Sequence, residues 1–124
     1  MPAFALDHLH HETTDVTAAV DFYRHLFDAA ADAPFERGGA TWVAVYVGIV
    51  KIMVTNRPCE ERSLARYQGY DHLGLSTDDF EAVLARIKEH GLSIWAGPLT
   101  LDNGQRLVFV NGPDNIKIEL LGRR

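Results

Sequence analysis

Two amphipathic helices are predicted by apolar residues that recur at the spacing of one helix face. One helix is expected over residues 15–28 and the other over 78–90, which has its C-terminal stop at Gly91. "TTD" before the first helix and Thr77 before the second supply oxygen atoms for N-terminal capping. The apolar stripes consist of Val16, Ala19, Val20, Tyr23 and Phe27 in the first helix and of Phe80, Val83, Leu84 and Ile87 in the second.

Strands are predicted where β-branched and aromatic residues cluster between turn signals. The segment "TWVAVYVGIVKIMVT" reads as two strands with a turn near Gly48, and "NGPDN" as a turn between the last two strands. Residues 56–69 are polar and read as a linker. The other strands are expected over 4–11, near 31–37, and over 70–76, 92–96, 105–111 and 115–121.

The chain repeats itself once. Residues 7–21, "DHLHHETTDVTAAVD", align without a gap on residues 71–85, "DHLGLSTDDFEAVLA", with six identities in fifteen positions. A second pair, "VKIMV" (50–54) and "IKIEL" (116–120), aligns at an offset larger by two. We therefore predict an α+β fold in one domain, residues 1–124, built from two βαβββ modules over about 4–55 and 70–121. A pseudo-twofold axis is expected to relate them and to form an open, cupped mixed sheet.

Composition narrows the functional classes. The 124 residues carry a net charge of −5 with histidines neutral, and no basic stripe interleaves with aromatics, which argues against nucleic-acid binding. No apolar run is long enough for a membrane span, and no signal peptide is recognisable, so a cytoplasmic protein without a membrane partner is expected. The single cysteine, Cys59, has no partner for an internal disulfide.

The repeat suggests a metal site. His8 and His72 occupy equivalent positions in the first strands, while Met53 and Glu119 are equivalent in the last strands. Two imidazoles and one carboxylate suit a divalent ion with open coordination positions, and a thioether does not suit a hard ion. We predict that His8, His72 and Glu119 bind Fe²⁺ or Mn²⁺, with Zn²⁺, Ni²⁺ and Co²⁺ as alternatives.

Further residues are candidates for the surroundings of this ion. His10 lies two positions after His8 and is predicted to share its face, as a general acid or base or as a rim residue. His11 is expected to point toward the helix or solvent. Substrate-pocket candidates are Met53, Lys51, Arg106, Lys117, Tyr46 and Phe109, although solvation of the charged members and core packing of the aromatic ones would also explain them.

The chain resembles the vicinal oxygen chelate superfamily of glyoxalases, bleomycin-resistance proteins and extradiol dioxygenases. The resemblance rests on "LDHLH…DVTAAVDFYRHLF", "YDHLGLSTDDFEAVLARIKEHG" and "GPDNIKIEL". It implies paired modules around a divalent metal, with His8, His72 and Glu119 as family ligands and Met53 at a fourth position where glyoxalase I usually has Glu or Gln. It also implies a homodimer and a small-molecule substrate with two vicinal oxygen atoms.

Three functions follow as hypotheses. The leading one is an extradiol-type dioxygenase that cleaves a catechol-like substrate. The alternatives within metal-dependent enzymes are a glyoxalase-like lyase or isomerase and a transferase or hydrolase similar to fosfomycin-resistance enzymes. A metal-free drug-binding resistance protein is the alternative outside enzymes.

Overall fold

The chain folds into two compact units. The structure is a computed structural model that describes residues 1–123. The units are Met1–Glu61 and Arg62–Arg124, and their boundary falls inside the predicted linker. Neither helix described in residues 1–123 has the length and hydrophobicity needed to cross a bilayer.

The first unit contains one helix and one mixed sheet. In the sheet, β1 runs parallel to β5, β5 is antiparallel to β4, and β4 pairs with both β2 and β3. The elements are β1 (Leu9–Glu12), α1 (Val16–Phe27), β2 (Ala30–Ala31), β3 (Phe35–Arg37), β4 (Ala40–Val47) and β5 (Val50–Thr55).

The second unit repeats this topology. Its sheet has the order β6-β9-β8-β7, and only β6 and β9 are parallel. The elements are β6 (Leu73–Thr77), α2 (Phe80–Glu89), β7 (Ile94–Thr100), β8 (Arg106–Asn111), a short 3₁₀ turn (Pro113–Asn115) and β9 (Lys117–Gly122). The predicted α+β class with two βαβββ-like modules is confirmed.

Both helices begin in the same way. The side chain of Asp15 accepts a hydrogen bond from the backbone N–H of Ala18 at 3.0 Å, and Asp79 accepts one from Ala82 at 3.0 Å. Thr13 and Thr77 each accept a hydrogen bond from the backbone N–H of the capping aspartate. The caps are therefore the aspartates, while the threonines hold the turns before them.

The cores lie between each helix and one face of its sheet. In the first unit Val43, Val45, Ile52 and Val54 are buried on the face that packs against Ala19, Tyr23 and Leu26 of α1. In the second, the buried strand residues Val108, Val110, Ile118 and Leu120 are accompanied by Phe80 and Ile87 of α2. Because side chains alternate along a strand, the opposite face of each sheet presents the intervening residues.

Several predicted boundaries differ from the structure: β6 begins at Leu73 rather than residue 70, α2 begins at Phe80 rather than residue 78, and β7 covers Ile94–Thr100 rather than 92–96. The first strand begins at Leu9 rather than residue 4, because its ladder with β5 starts at the pair Leu9–Ile52. Phe4 and Leu6 before it are exposed. The short strand expected near 31–37 is split into β2 and β3, with "DAP" (32–34) between them. Proline lacks the N–H that an unbroken ladder would need there.

Candidate functional site

An aspartate–histidine pair lies just before the first strand of each unit. His8 Nδ1 lies 2.6 Å from Asp7 Oδ1, and His72 Nδ1 lies 2.9 Å from Asp71 Oδ2. The hydrogen bonds to the histidines lower the pKa of both Asp7 and Asp71. An ionised carboxylate can only accept, so each imidazole donates from Nδ1, which leaves Nε2 as the nitrogen that could bind a metal ion.

The second unit places a carboxylate beside its histidine. Glu119 Oε2 lies 3.8 Å from His72 Nε2, and the Glu119 side chain is 19% exposed. Two donor atoms that each lie about 2.1 Å from one ion are at most about 4.2 Å apart. His72 and Glu119 therefore fit a divalent cation as neighbouring ligands without rearrangement of the backbone.

Lys117 contacts Asp71, the aspartate that orients His72. Its Nζ lies 3.4 Å from Asp71 Oδ1 and 5.7 Å from the centre of the Trp95 ring, and its side chain is 12% exposed. Lys117 also contributes to the lowered pKa of Asp71, after the larger effect of His72. The ammonium group that the sequence suggested for substrate binding is instead engaged with the aspartate that orients His72.

The first unit carries a thioether where the second carries the carboxylate. In β5, Met53 lies opposite His10 on one side and Ala44 on the other. In β9, Glu119 lies opposite Gly74 and Phe109 in the same way. Within residues 1–123, no three His, Cys, Asp or Glu side chains gather into a metal-binding group. The structure thus brings together His72 and Glu119, and His8 belongs to the other unit.

His10 belongs to a polar network in the first unit. Its Nε2 lies 3.1 Å from Glu12 Oε1 and 3.4 Å from Arg57 Nη2, and its ring meets the Trp42 ring edge-on at 5.3 Å. Arg57 also forms an ion pair with Glu12. Burial lowers the pKa of His10, with a smaller opposing effect from Glu12, and this favours the neutral imidazole.

His11 has the structural role that its position on the strand indicates. The side chain is buried, and Nδ1 lies 2.8 Å from the Tyr23 hydroxyl of α1. His11 therefore faces the helix, on the side of β1 opposite His10.

A cavity of about 740 Å³ lies on the open face of the first sheet. His8 and Lys51 line one part of it, and Phe35 and Trp42 line another. Met53 and the small residue Ala44 lie between them. A volume of this size is typical of small-molecule sites.

Two further pocket candidates, Phe109 and Tyr46, make different contacts. Phe109 lies on the Glu119 face, where its ring contacts His72 at 5.1 Å and Trp95 at 4.6 Å. The Tyr46 hydroxyl donates to Asp32 at 3.0 Å, and this hydrogen bond raises the pKa of Tyr46.

Arg106 lies on the other face of β8 from Phe109. Its guanidinium stacks over the Phe80 ring at 4.7 Å and pairs with Glu81, both on the helix side. Three positions separate Arg106 from Phe109, so alternation along the strand turns them to opposite faces. The interpretation of Arg106 as a pocket cation is therefore corrected to a contact between the sheet and α2.

Several residues of the site were missed at the level of sequence. Asp7 and Asp71 precede the histidines in both copies of the repeat, so the recurring "DH" was the available signal. Phe35 and Arg57 carried no comparable signal. They reach the cavity and the His10 network only through the folding of β3 and of the segment after β5.

Comparisons with known proteins agree with this architecture. The family model of the Glyoxalase/Bleomycin resistance protein/Dioxygenase superfamily matches residues 5–120. A search of curated proteins finds no match.

Solved structures are similar along almost the whole chain. A glyoxalase family protein from Bacillus cereus shares 14% identity, covers 98% of this chain and 95% of its own, and has a TM-score of 0.84. The fosfomycin resistance protein FosX from Listeria monocytogenes, solved with Mn(II) and sulfate, shares 14% identity at a TM-score of 0.77, with 99% and 95% coverage. A glyoxalase I mutant from Zea mays shares 19% identity at a TM-score of 0.78, covering 94% of this chain and 43% of its own.

Proposed function

Because the chain belongs to the Glyoxalase/Bleomycin resistance protein/Dioxygenase superfamily, we propose that it is a divalent-metal-dependent enzyme acting on a small molecule with two neighbouring oxygen atoms. The observation that carries the proposal is the pair His72–Glu119, in which Asp71 orients the imidazole. His8, oriented by Asp7, is the proposed third ligand.

The ligand set favours Mn²⁺ or Fe²⁺. Imidazole and carboxylate ligands suit both ions, and Met53 adds no hard donor. When bound, the ion would supply positive charge that stabilises negative charge developing on the substrate oxygens. Zn²⁺, Ni²⁺ and Co²⁺ are compatible with the same donors.

His10 is the proposed base. Its lowered pKa favours the neutral imidazole, and Glu12 beside Nε2 stabilises the protonated form that arises after it accepts a proton. The reaction to test first is therefore a glyoxalase-like lyase or isomerase step, in which a proton moves on a substrate held by its oxygens. Extradiol ring cleavage would use the same base on a diol, and an epoxide-opening transferase remains the third alternative.

The site hypothesis is tested by metal content. Elemental analysis of anaerobically purified protein should find about one Mn or Fe per chain, and His8→Ala and His72→Ala should each lose it. His25→Ala, at an exposed position of α1, is the matched control and should retain full metal occupancy. Metal retained in both ligand variants would show that these histidines are not the ligands, whereas no metal taken up by the wild type would favour a metal-free binding protein instead.

We also propose a homodimer, as the family resemblance implies. Light scattering should give twice the mass of the chain. A mixture of His8→Ala and His72→Ala, refolded together, would recover metal binding only if two copies share each site. Recovery is not expected where each chain supplies all three ligands, so the mixture also reports how the site is assembled. A monomeric mass would contradict the dimer.

A further inference from the structure

We propose that the first unit selects small carboxylate substrates that carry an apolar group. Ala44 and Met53 contact the apolar group, and the Lys51 ammonium binds the carboxylate. This inference rests on the proposed function, because it names the substrate class of that site. It is carried by the cavity of the first unit, whose lining lies entirely within residues 7–53.

The strand register places an apolar floor, formed by Met53 and Ala44, between a charged end at Lys51 and an aromatic end at Trp42. Met53 and Ala44 lie opposite each other at the centre. Lys51 lies opposite Tyr46 on one side, and Thr55 lies opposite Trp42 on the other. All of these residues share the face of the sheet that His10 joins through its pairing with Met53.

The aromatic end is already ordered. The Phe35 and Trp42 rings are stacked at 6.3 Å with an interplanar angle of 11°, and the Trp42 indole donates to the backbone carbonyl of Arg37 at 3.1 Å. Arg57 lies 5.2 Å from the Trp42 ring centre on this wall. A fixed aromatic wall beside a small alanine leaves space for an apolar group the size of a ring.

The charged end has an available cation. Among residues 1–123, the Lys51 ammonium makes no hydrogen bond or ion pair, whereas its repeat equivalent Lys117 is bound to Asp71. The two carboxylates on the cavity are hydrogen-bonded, Asp7 to His8 and Asp32 to Tyr46, and Asp7 also interacts electrostatically with Lys51 at longer range. An incoming carboxylate would therefore meet the Lys51 ammonium in the cavity that His8, the proposed metal ligand, also lines.

The same position in the second unit is filled. Phe109 is the equivalent of Ala44, and its ring packs against His72 and Trp95. Alanine at position 44 is thus what opens the floor in the first unit, and its size should limit which substrates enter.

The proposal is tested with metal-free protein, so that failure of the metal site and failure of this inference give different results. In a Trp95→Phe background, Trp42 is the remaining tryptophan and its fluorescence reports ligand contact. The probes are benzoate and its neutral isostere benzamide. Benzoate should quench the fluorescence and bind about tenfold more tightly than benzamide, a preference that weakens with added salt.

Two variants test separately the charge of Lys51 and the space above Ala44. Lys51→Met should lower benzoate affinity to the level of benzamide, while Lys88→Met, on the exposed end of α2, should leave it unchanged. Ala44→Leu should weaken both probes about tenfold or more by filling the floor, and Ala85→Leu on an exposed helix position controls for added bulk. Equal affinity for the two probes, or a preference unaffected by Lys51→Met, would overturn the proposal even if Mn²⁺ binds normally.

Discussion

The two modules share one backbone plan and carry different side chains at the same register positions. Leu9 pairs with Ile52 in the first unit and Leu73 with Ile118 in the second, so the parallel ladders match residue for residue. On that common frame the second unit has Glu119 beside Phe109, and the first has Met53 beside Ala44.

The difference in side chains indicates that the two modules have different roles. The second module uses its open face for a carboxylate, an oriented imidazole and packed aromatic rings. The first keeps the oriented imidazole but gives up the carboxylate, and a cavity lies on its face. We infer that the second module contributes more to metal binding and the first more to substrate binding. Four paired substitutions examine this comparison.

Glu119→Ala should have the largest effect on metal binding. Loss of an outer partner of a ligand typically costs about 10–100-fold in metal affinity, and loss of the ligand itself should cost more than that. Met53→Ala, at the equivalent register position, should leave Mn²⁺ affinity within about twofold because a thioether adds little for a hard ion. Isothermal titration with Mn²⁺ measures both, and equal losses would contradict the asymmetry.

Lys117→Met should weaken Mn²⁺ binding about tenfold, through loss of the contact that fixes Asp71 and hence His72. Lys51→Met is the matched variant at the repeat-equivalent position, which forms no ion pair with any residue from 1 to 123, and it should change Mn²⁺ affinity much less. The pattern would be reversed if Lys51 rather than Lys117 supported a ligand histidine.

Met53→Glu would give the first module the carboxylate of the second. If position 53 faces the ion, as the family resemblance implies, a fourth hard ligand should strengthen Mn²⁺ binding by several-fold to about tenfold. Met53→Gln separates the charge from the shape and should give a smaller gain. An unchanged affinity in the glutamate variant would show that position 53 lies away from the ion.

Asp15→Ala and Asp79→Ala address what the modules have in common. Each removes one N-cap of the same geometry and should lower the free energy of unfolding by about 1 kcal/mol. Urea denaturation measures the loss, and Asp15→Asn and Asp79→Asn should retain most of the stability. Strongly unequal losses would show that the two helices depend on their caps to different degrees.

Much of the fold could be predicted because it depends on local patterns. The helical stripes, the start of the first helix at "TTD" and the turn at Gly48 follow from residue type and spacing, whereas the second helix is capped by Asp79 and not by the predicted Thr77. The start of β1 at Leu9 could not be predicted, because Phe4 and Leu6 continue the apolar pattern toward the N-terminus. Only the pairing with β5 determines where the strand begins.

The repeat suggests the candidate ligands from sequence alone, whereas the contacts of the surrounding side chains depend on tertiary packing. His8, His72 and Glu119 are proposed as ligands from a comparison of equivalent positions, which is information within the sequence itself. The binding of Lys117 to Asp71, and of Arg106 to the helix side, depends on which face of a strand meets which neighbour. The sequence offered both residues as substrate cations, and only three-dimensional contacts assign them elsewhere.

The matched ladders have a consequence for how such a chain can change length. The offset between equivalent residues grows by two along the modules, yet Met53 and Glu119 still present the same face because hydrogen bonding between strands, and not residue counting, sets the register. Met53 lies nine positions after its partner Ala44 and Glu119 lies ten after its partner Phe109, so the connection between β8 and β9 absorbs one of the two extra residues. The other is absorbed between the first strand of the module and β8. Insertions in these connections can therefore accumulate over evolution, or be introduced by design, while each strand keeps its functional side chains on the open face.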